Sequence, residues 1–330
     1  MTVRSRPRSL TLVLRGQRRH ARDGAARGSP GRRYADLALE FAPFGFYLVV
    51  AIAAVLRHLV DGSGFGFDAL LYRNAAEAWM SGRDPWDVGI PGVQFAGAPT
   101  ALFLFAPTVF VPPWLFTILA VVAASLVSLW VVRRVGLAPY WVLYSPIAVG
   151  ALLGQPTIFI VALLLTRHRW IAPLVKVIGG IPLLPLRDVR AVLLAAAAAG
   201  VTFVLAPSIW LEWFRRLPEL SARLQLELGA KPDWLMIGIA AGALLVIWRL
   251  RPDHAPWLAV AALWPLPEVH YAAFALPTRN RAILLGLILV EPQLVVVAYA
   301  LFLVVQRGRH AVPGGEFQQL EPVPAVVHSQ

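Results

Sequence analysis

The sequence predicts an all-α polytopic membrane protein. Of its 330 residues, 58% are hydrophobic and 15% are charged, whereas roughly a quarter of the residues are charged in a soluble chain. From residue 37 onward, apolar runs close to the thickness of a bilayer follow one another, and charges cluster between them. Residues 37–305 are therefore predicted to form one membrane domain, with about eight to ten full or broken transmembrane helices at roughly 20 residues per full span.

The first segment, residues 1–36, is a basic arm. It contains ten arginines and two aspartates, and contributes most of the net charge of +12. Because positive loops stay in the cytoplasm, we expect this arm to be cytoplasmic and disordered, in a multi-pass protein of the plasma membrane. The same bias explains the positive charge, so we expect no nucleic-acid partner. Anionic headgroups near the surface would add roughly 1 kcal/mol per arginine.

A predicted first span, residues 37–60, then delivers residues 61–98 to the outside of the membrane. This loop carries all the carboxylates of the first external region, since no Asp or Glu occurs between Asp87 and Asp188. Within the loop, residues 68–81 are rich in Ala and Leu and predict a helix ending near Gly82.

The following apolar runs are interrupted by proline. Residues 99–132 and 135–166 are each too long for one span and too short for two, which favours broken helices. Residues 170–186 lie between basic clusters and favour a re-entrant segment. The rest of the domain is interpreted as a span at 191–210, an external loop at 212–233, a return at 234–248, spans at 256–278 and 282–305, and a loose cytoplasmic tail at 306–330.

Asp68 is the main candidate for chemistry in the external loop. A carboxylate beside aromatic side chains suits a sugar, because the acid can accept a hydroxyl proton while the rings stack on the sugar. The alternative is that Asp68 only caps the helix. Asp84 is a secondary candidate, and its position before Pro85 also fits a simple turn.

Further candidates interrupt the apolar runs. Lys176, one of two lysines in the chain, lies in an apolar segment broken by Pro and Gly. A charge at this depth in the membrane indicates a functional site. The alternative is that the side chain extends to the lipid headgroups. Glu268 and His270 form a polar break that suits phosphate binding or proton transfer, or else a polar turn at the interface. Gln155 either orients a polar ligand or satisfies backbone groups freed at the break.

Several site classes are excluded or disfavoured. The chain has no cysteine, which excludes disulfides, thiolate metal sites and cysteine nucleophiles. It also lacks a Gly-rich phosphate loop, paired histidines at zinc spacing and a serine nucleophile elbow. We therefore expect no nucleotide-dependent reaction, no metal and no cofactor.

Six features occur in an order that resembles the polyprenol-phosphate-mannose-dependent mannosyltransferases, GT-C enzymes of glycosyltransferase family 87. The resemblance covers about residues 40–305. Its features are Asp68 with Tyr72, Gly82-x-Asp84-Pro85-Trp86, Ala98-Pro99, Gly154-Gln155, Lys176 with Pro182, and His270-Tyr271 before Pro277.

This resemblance implies a GT-C-like bundle with an extracytoplasmic catalytic loop. It implies that a hexose, expected to be mannose, moves with inversion from a polyprenyl-phosphate donor to an envelope glycolipid or glycan. By the same resemblance, Asp68 is the catalytic base and Lys176 and His270 neutralise the donor phosphate. The sugar or lipid path is then lined by Tyr72, Trp86 and Gln155, and no metal is required.

Two other classes of function stay open at this point. A transporter also uses broken helices and intramembrane charges such as Lys176. A catalytically inactive GT-C-like assembly partner needs neither a base nor a donor site. The enzyme requires Asp68 in a cavity at the external face, and the transporter requires charges aligned through the bilayer.

Overall fold

The computed structural model describes residues 64–90, 93–228, 231–265 and 268–311, together with positions 49 and 53. The predicted basic arm, almost all of the predicted first span and the tail from residue 312 lie outside these ranges. Within them the fold is all-α, except for one antiparallel hairpin that pairs β1 (Gly89–Ile90) with β2 (Val93–Gln94).

Most of the described helices are short. Three exceptions reach at least 20 residues: α3, α9 and α13. The α-helices are α1 (Phe67–Met80), α2 (Pro99–Phe105), α3 (Pro113–Arg134), α4 (Ser145–Leu153), α5 (Thr157–Leu164), α6 (Ala172–Val175), α7 (Leu183–Leu186), α8 (Val189–Leu205), α9 (Pro207–Leu228), α10 (Trp234–Leu250), α11 (Ala255–Leu263), α12 (Arg281–Leu289) and α13 (Pro292–Ala311). Between them lie 3₁₀ segments at Pro85–Asp87, Ala106–Phe110, Pro139–Leu143, Arg169–Ile171, Val177–Gly180 and Val269–Thr278.

The predicted breaks in the apolar runs are confirmed. Residues 99–132 divide into α2, a 3₁₀ segment and α3, and Pro113 opens α3 because proline fits the first helical turn. Residues 135–166 divide at Gly154, whose φ of 68° ends α4 in the left-handed conformation that favours glycine. The predicted helix at 68–81 is α1, which ends before the left-handed Gly82.

Three predicted segments were wrong in their boundaries. Residues 212–233 were interpreted as an external loop because their charges balance, but residues 207–228 form α9, an amphipathic helix. The predicted spans 256–278 and 282–305 are each divided: in the first, one helix ends at Leu263 and a 3₁₀ segment begins at Val269, and in the second, one helix ends at Leu289 and the next begins at Pro292. The last helix continues to Ala311, beyond the expected boundary at residue 305.

Helices long enough to cross a membrane are fewer than the sequence predicted. In the described ranges only α3 qualifies by length and composition, or up to three segments if two bent pairs each count as one span. The pairs are α4 with α5, bent by 116°, and α8 with α9, bent by 109°. Proline and glycine divide the other apolar runs into shorter helices, including α10.

Two apolar cores hold the described elements together. The larger core joins helices α3 to α5 and α10 to α13, and contains Trp141, Tyr144 and Phe274 among its large side chains. The smaller core lies among α1, the hairpin, α2 and α9, and is built around Trp86 and Phe95. Helix α1 contacts both α4 and the smaller core, so its inward side chains lie where the two cores meet.

Candidate functional site

Asp68 is positioned by the start of α1. The helix begins after Gly66, which has a φ of 64° and donates a backbone hydrogen bond to Leu152 O at 2.9 Å. No side chain caps this end, so the alternative interpretation of Asp68 as the helix cap is wrong. Asp68 instead lies in the first turn with its side chain inward and only 8% of the residue exposed.

The break between α4 and α5 brings Gln155 to Asp68. A Cβ on Gly154 would lie 2.8 Å from the Cβ of Ala69, closer than carbon atoms pack, so only glycine permits this approach. The Gln155 amide then hydrogen-bonds the Asp68 carboxylate. The Gln155 Oε1 atom is buried and has no hydrogen-bond partner among the residues that the structure describes, which leaves an acceptor available beside the carboxylate.

Lys176 comes from a second break, between α6 and the 3₁₀ segment at Val177–Gly180. Its backbone is extended, with φ −150° and ψ 129°. Gly179 allows the tight reversal that follows, because a Cβ there would lie 2.6 Å from Ala172 O. The segment is fixed to α2 by a buried hydrogen bond, in which Thr100 Oγ1 donates to Leu174 O at 2.8 Å.

A third break supplies Glu268, His270 and Tyr271. Lys176 Nζ donates to the Tyr271 hydroxyl at 3.1 Å, and that hydroxyl donates to Glu268 Oε1 at 3.1 Å. Glu268 Oε2 lies 3.3 Å from His270 Nδ1, while His270 Nε2 is buried and has no partner within the described ranges. The ammonium also lies 5.0 Å from the centre of the Tyr271 ring.

These groups interact electrostatically with Asp68. Burial raises the pKa of the Asp68 carboxyl from its ordinary 3.8 to about 6. The positive charge of Lys176 and the hydrogen bond from Gln155 oppose that rise, whereas the charge of Glu268 adds to it. Such a carboxylate is ionised at neutral pH and is a stronger base than an exposed aspartate.

Tyr72 lies one turn after Asp68 and is also buried. Its ring packs against Phe95 and Phe105, with centroids 5.2 and 4.9 Å away. Burial raises the pKa of its hydroxyl to about 12, and the charge of Lys176 opposes this rise. The structure therefore brings together six residues singled out in the sequence, which we call the polar cluster: Asp68, Tyr72, Gln155, Lys176, Glu268 and His270.

Two other candidates lie elsewhere. Asp84 accepts a hydrogen bond from the Trp86 backbone N at 2.9 Å and forms an ion pair with Arg216. The Trp86 indole is 1% exposed and donates to Gly97 O at 3.1 Å inside the smaller core. Both have clear structural roles in the turn after α1, and Trp86 lies in the same apolar core as Tyr72.

Sequence reasoning named Tyr271 only as the neighbour of His270 in one of the family motifs and gave it no role in the site. In the structure its hydroxyl joins Lys176 to Glu268. The available signal was its place beside His270, since both lie in one polar break in an apolar run. Which cation it contacts is set by tertiary packing across 95 positions of the chain.

A cavity of about 200 Å³ adjoins the polar cluster. Glu268 and Tyr271 form part of its wall, and the opposite side is lined by residues 287–292. A larger groove of about 410 Å³, between α10 and α13, is lined by apolar side chains with Arg249 and Arg307 and lies apart from the cluster.

The cluster combines a buried base, a cation and a histidine with a free ring nitrogen. This set can accept a proton, neutralise an anionic group and donate or accept hydrogen bonds to a polar ligand. Among the described residues, no three His, Asp or Glu side chains are grouped closely enough to hold a metal ion.

No family model matches the chain, and comparison with curated proteins and with solved structures gave no significant match.

Proposed function

We propose that the chain is an integral-membrane glycosyltransferase with a polytopic, GT-C-like fold in the plasma membrane. It moves a hexose, which we take to be mannose, from a polyprenyl-phosphate donor to an envelope glycolipid or glycan. In this proposal the N-terminus is cytoplasmic, and the polar cluster faces the outside of the membrane.

One observation carries the proposal. Asp68, Gln155, Lys176 and the Glu268–His270 turn come from four separate parts of the chain and meet in one cluster, in which Asp68, Gln155 and His270 are buried and Lys176 and Glu268 are half-buried. Burying a charge costs free energy of desolvation. Carboxylates whose pKa is shifted by burial and by a specific charged partner are typical of functional sites. The order of these residues is also the order of the family motifs that the sequence resembles.

The reaction follows from the groups present. Asp68 accepts the proton of the acceptor hydroxyl as its oxygen attacks the anomeric carbon of the donor sugar. The bond between that carbon and the phosphate oxygen breaks on the opposite face, which inverts the configuration. Polyprenyl phosphate leaves with the bonding electrons. The Lys176 ammonium stabilises the charge of the departing phosphate, and His270 contributes a polar contact to the donor.

The apolar exterior supports a lipid-linked donor. Large hydrophobic side chains are exposed along α3, α8 and α13, as on a surface that contacts lipid tails. Broken helices at membrane depth are tolerated where they line a cavity, and the cavity of about 200 Å³ beside Glu268 and Tyr271 supports the entry of a lipid-linked donor. A donor delivered within the bilayer also agrees with a site that has no loop for a nucleotide phosphate.

The test is sugar transfer in membranes from radiolabelled polyprenyl-phosphate mannose, comparing the wild type with Asp68→Asn. Removal of a general base reduces a rate by about 10²–10⁴-fold, so transfer by the variant should fall at least a hundredfold. The matched control is Glu77→Gln, which removes a carboxylate 45% exposed on the same helix and outside the cluster.

The pH dependence provides a second readout. Since the base must be ionised, wild-type transfer should fall about tenfold per pH unit below pH 6, where the Asp68 carboxyl takes up its proton. Transfer that is unchanged in Asp68→Asn contradicts the assignment of the base. If neither protein transfers label while both insert correctly, this donor is wrong, and an inactive assembly partner or a transporter becomes the better explanation.

Topology can be tested without removing native thiols, because the chain has no cysteine. Arg83 is exposed just after α1, so Arg83→Cys should react with a membrane-impermeant maleimide added to intact cells. Reaction only after the cells are opened would place the loop in the cytoplasm and contradict the proposed orientation.

A further inference from the structure

Helix α9 turns sharply away from the apolar helix that precedes it. The angle between α8 and α9 is 109°. The bend is fixed by side chains, since the Trp210 indole on α9 donates to Thr202 Oγ1 on α8 at 3.2 Å, and its ring lies 6.2 Å from that of Phe203. If α8 crosses a bilayer, α9 therefore runs close to parallel with its surface.

The two long sides of α9 differ in chemistry. One side carries charges three or four residues apart: Glu212, Arg216, Glu219 and Arg223. The other exposes large apolar side chains at similar spacing, namely Leu211 (61% exposed), Phe214 (49%) and Leu217 (39%). This division is that of an amphipathic helix.

The charged side is already occupied by the loop that follows α1. Arg216 forms ion pairs with Asp84 and, at 3.6 Å, with Asp87. Arg223 Nη1 donates to Gln94 Oε1 at 2.6 Å and lies 3.6 Å from Asp87 Oδ1. The opposite side exposes a row of apolar side chains, and contact of this row with water is unfavourable.

A third side of the helix completes its packing. Ile209 and Trp213 pack against the smaller core, and Leu220 is buried within it. Helix α9 is therefore fixed on its core side and on its charged side, while Leu211, Phe214 and Leu217 remain exposed in the described part of the chain. The exposed apolar surface of α8, which includes Val201, Val204 and Leu205, leads to this row.

We propose that α9 lies in the membrane–water interface, with Leu211, Phe214 and Leu217 inserted among the lipids. Helices of this kind bury their apolar face about 5–10 Å into the boundary between headgroups and acyl chains. The partner is a lipid surface, since the apolar row continues from an apolar helix and Arg216 and Arg223 point to the protein. The inference depends on the membrane insertion of the proposed function, but not on its sugar chemistry.

This arrangement gives α9 a role at the site. Through Arg216 and Arg223 it holds the loop after α1, and through the smaller core it packs beside Tyr72. The depth of α9 in the interface then determines the depth of α1, and so the height at which Asp68 meets a lipid-linked ligand.

The test uses single cysteines in the full chain, labelled with a nitroxide and reconstituted in vesicles of phosphatidylcholine and phosphatidylglycerol. Labels at Leu211 and Phe214 should be more accessible to oxygen than to a water-soluble nickel chelate, at a depth of about 5–10 Å below the phosphates. Arg215 is the matched control for Phe214: its side chain is 76% exposed and points about 100° away from that of Phe214 on the helix, so its label should favour the nickel chelate more than the Phe214 label does.

A label at Leu194 on α8 separates two kinds of failure. If Leu194 faces lipid while Phe214 faces water, the interfacial helix is refuted and membrane insertion stands. If Leu194 also faces water, the membrane part of the proposed function fails as well. If neither reagent reaches Phe214, a protein surface covers the row, and the proposal is overturned.

Discussion

Replacing Asp68 by asparagine should stabilise the protein at neutral pH while it removes transfer. In the unfolded chain this carboxyl ionises at its ordinary pKa of 3.8, whereas in the folded protein burial holds its pKa at about 6. Above pH 6 both states are ionised, and the folded state carries the full cost of a buried charge. A pKa difference of about 2 corresponds to about 3 kcal/mol at about 1.4 kcal/mol per unit.

The sign of the pH dependence follows from proton uptake. Between pH 3.8 and about 6 the folded state binds the proton and the unfolded state does not, so the free energy of unfolding falls as pH rises through this range. The asparagine side chain does not ionise, so its contribution to stability does not depend on pH. The advantage of Asp68→Asn should therefore approach about 3 kcal/mol at pH 7, shrink as pH is lowered through 6, and vanish near pH 4.

The assay is denaturation of purified protein in detergent between pH 4 and pH 7.5, with the difference between variant and wild type recorded at each pH. Glu77→Gln reports the effect of removing an exposed carboxylate from the same helix. A variant that is less stable than the wild type at pH 7, or an advantage that does not change with pH, would show that Asp68 is not a buried, ionised carboxylate.

Three further predictions concern the contacts around the site. Lys176→Met removes the cation that lowers the pKa of Asp68, so the acidic limb of the pH profile of residual transfer should shift to higher pH. An unchanged profile would show that Lys176 does not interact with Asp68. Gly154→Ala should cost about 1–2 kcal/mol from its left-handed backbone alone, measured by denaturation, whereas Gly200→Ala, in a helix with nothing within 4 Å, should stabilise by about 0.5–1 kcal/mol. Arg216→Gln should speed hydrogen exchange in the loop after α1 because its ion pairs are lost, and unchanged exchange would mean that α9 does not hold that loop.

The positions of the helix breaks could be predicted from the sequence because they depend on local chemistry. Proline removes a backbone donor and glycine adopts a left-handed φ wherever they occur. Lys176 and Glu268 could be singled out for a similar reason, since a charge inside an apolar run is costly in any fold that buries the run. The family resemblance added roles for the residues, but no contact between them.

Other features depend on contacts between distant residues and could not be predicted. The helix at residues 207–228 is an exception: residues 212–233 were interpreted as a loop because their charges balance, although the alternation of charged and apolar sides along the helix was present in the sequence. Asp84 had a plausible chemical role until its ion pair with Arg216 was known, and that pair joins residues 132 positions apart. The residues near Asp84 in the sequence do not indicate such a partner.

The placement of the polar cluster depends on glycine as much as on the charged residues. Gly154 allows α1 to approach α4, and Gly179 allows the chain to reverse directly after Lys176. Larger side chains at these two positions would separate Asp68 from Gln155 and Lys176 from Tyr271, without altering any ionisable group. Since the buried charges oppose folding unless they meet, the backbone must supply the energy that brings them together. That energy comes from the packed cores on either side of α1, which explains why the cluster lies where the two cores meet.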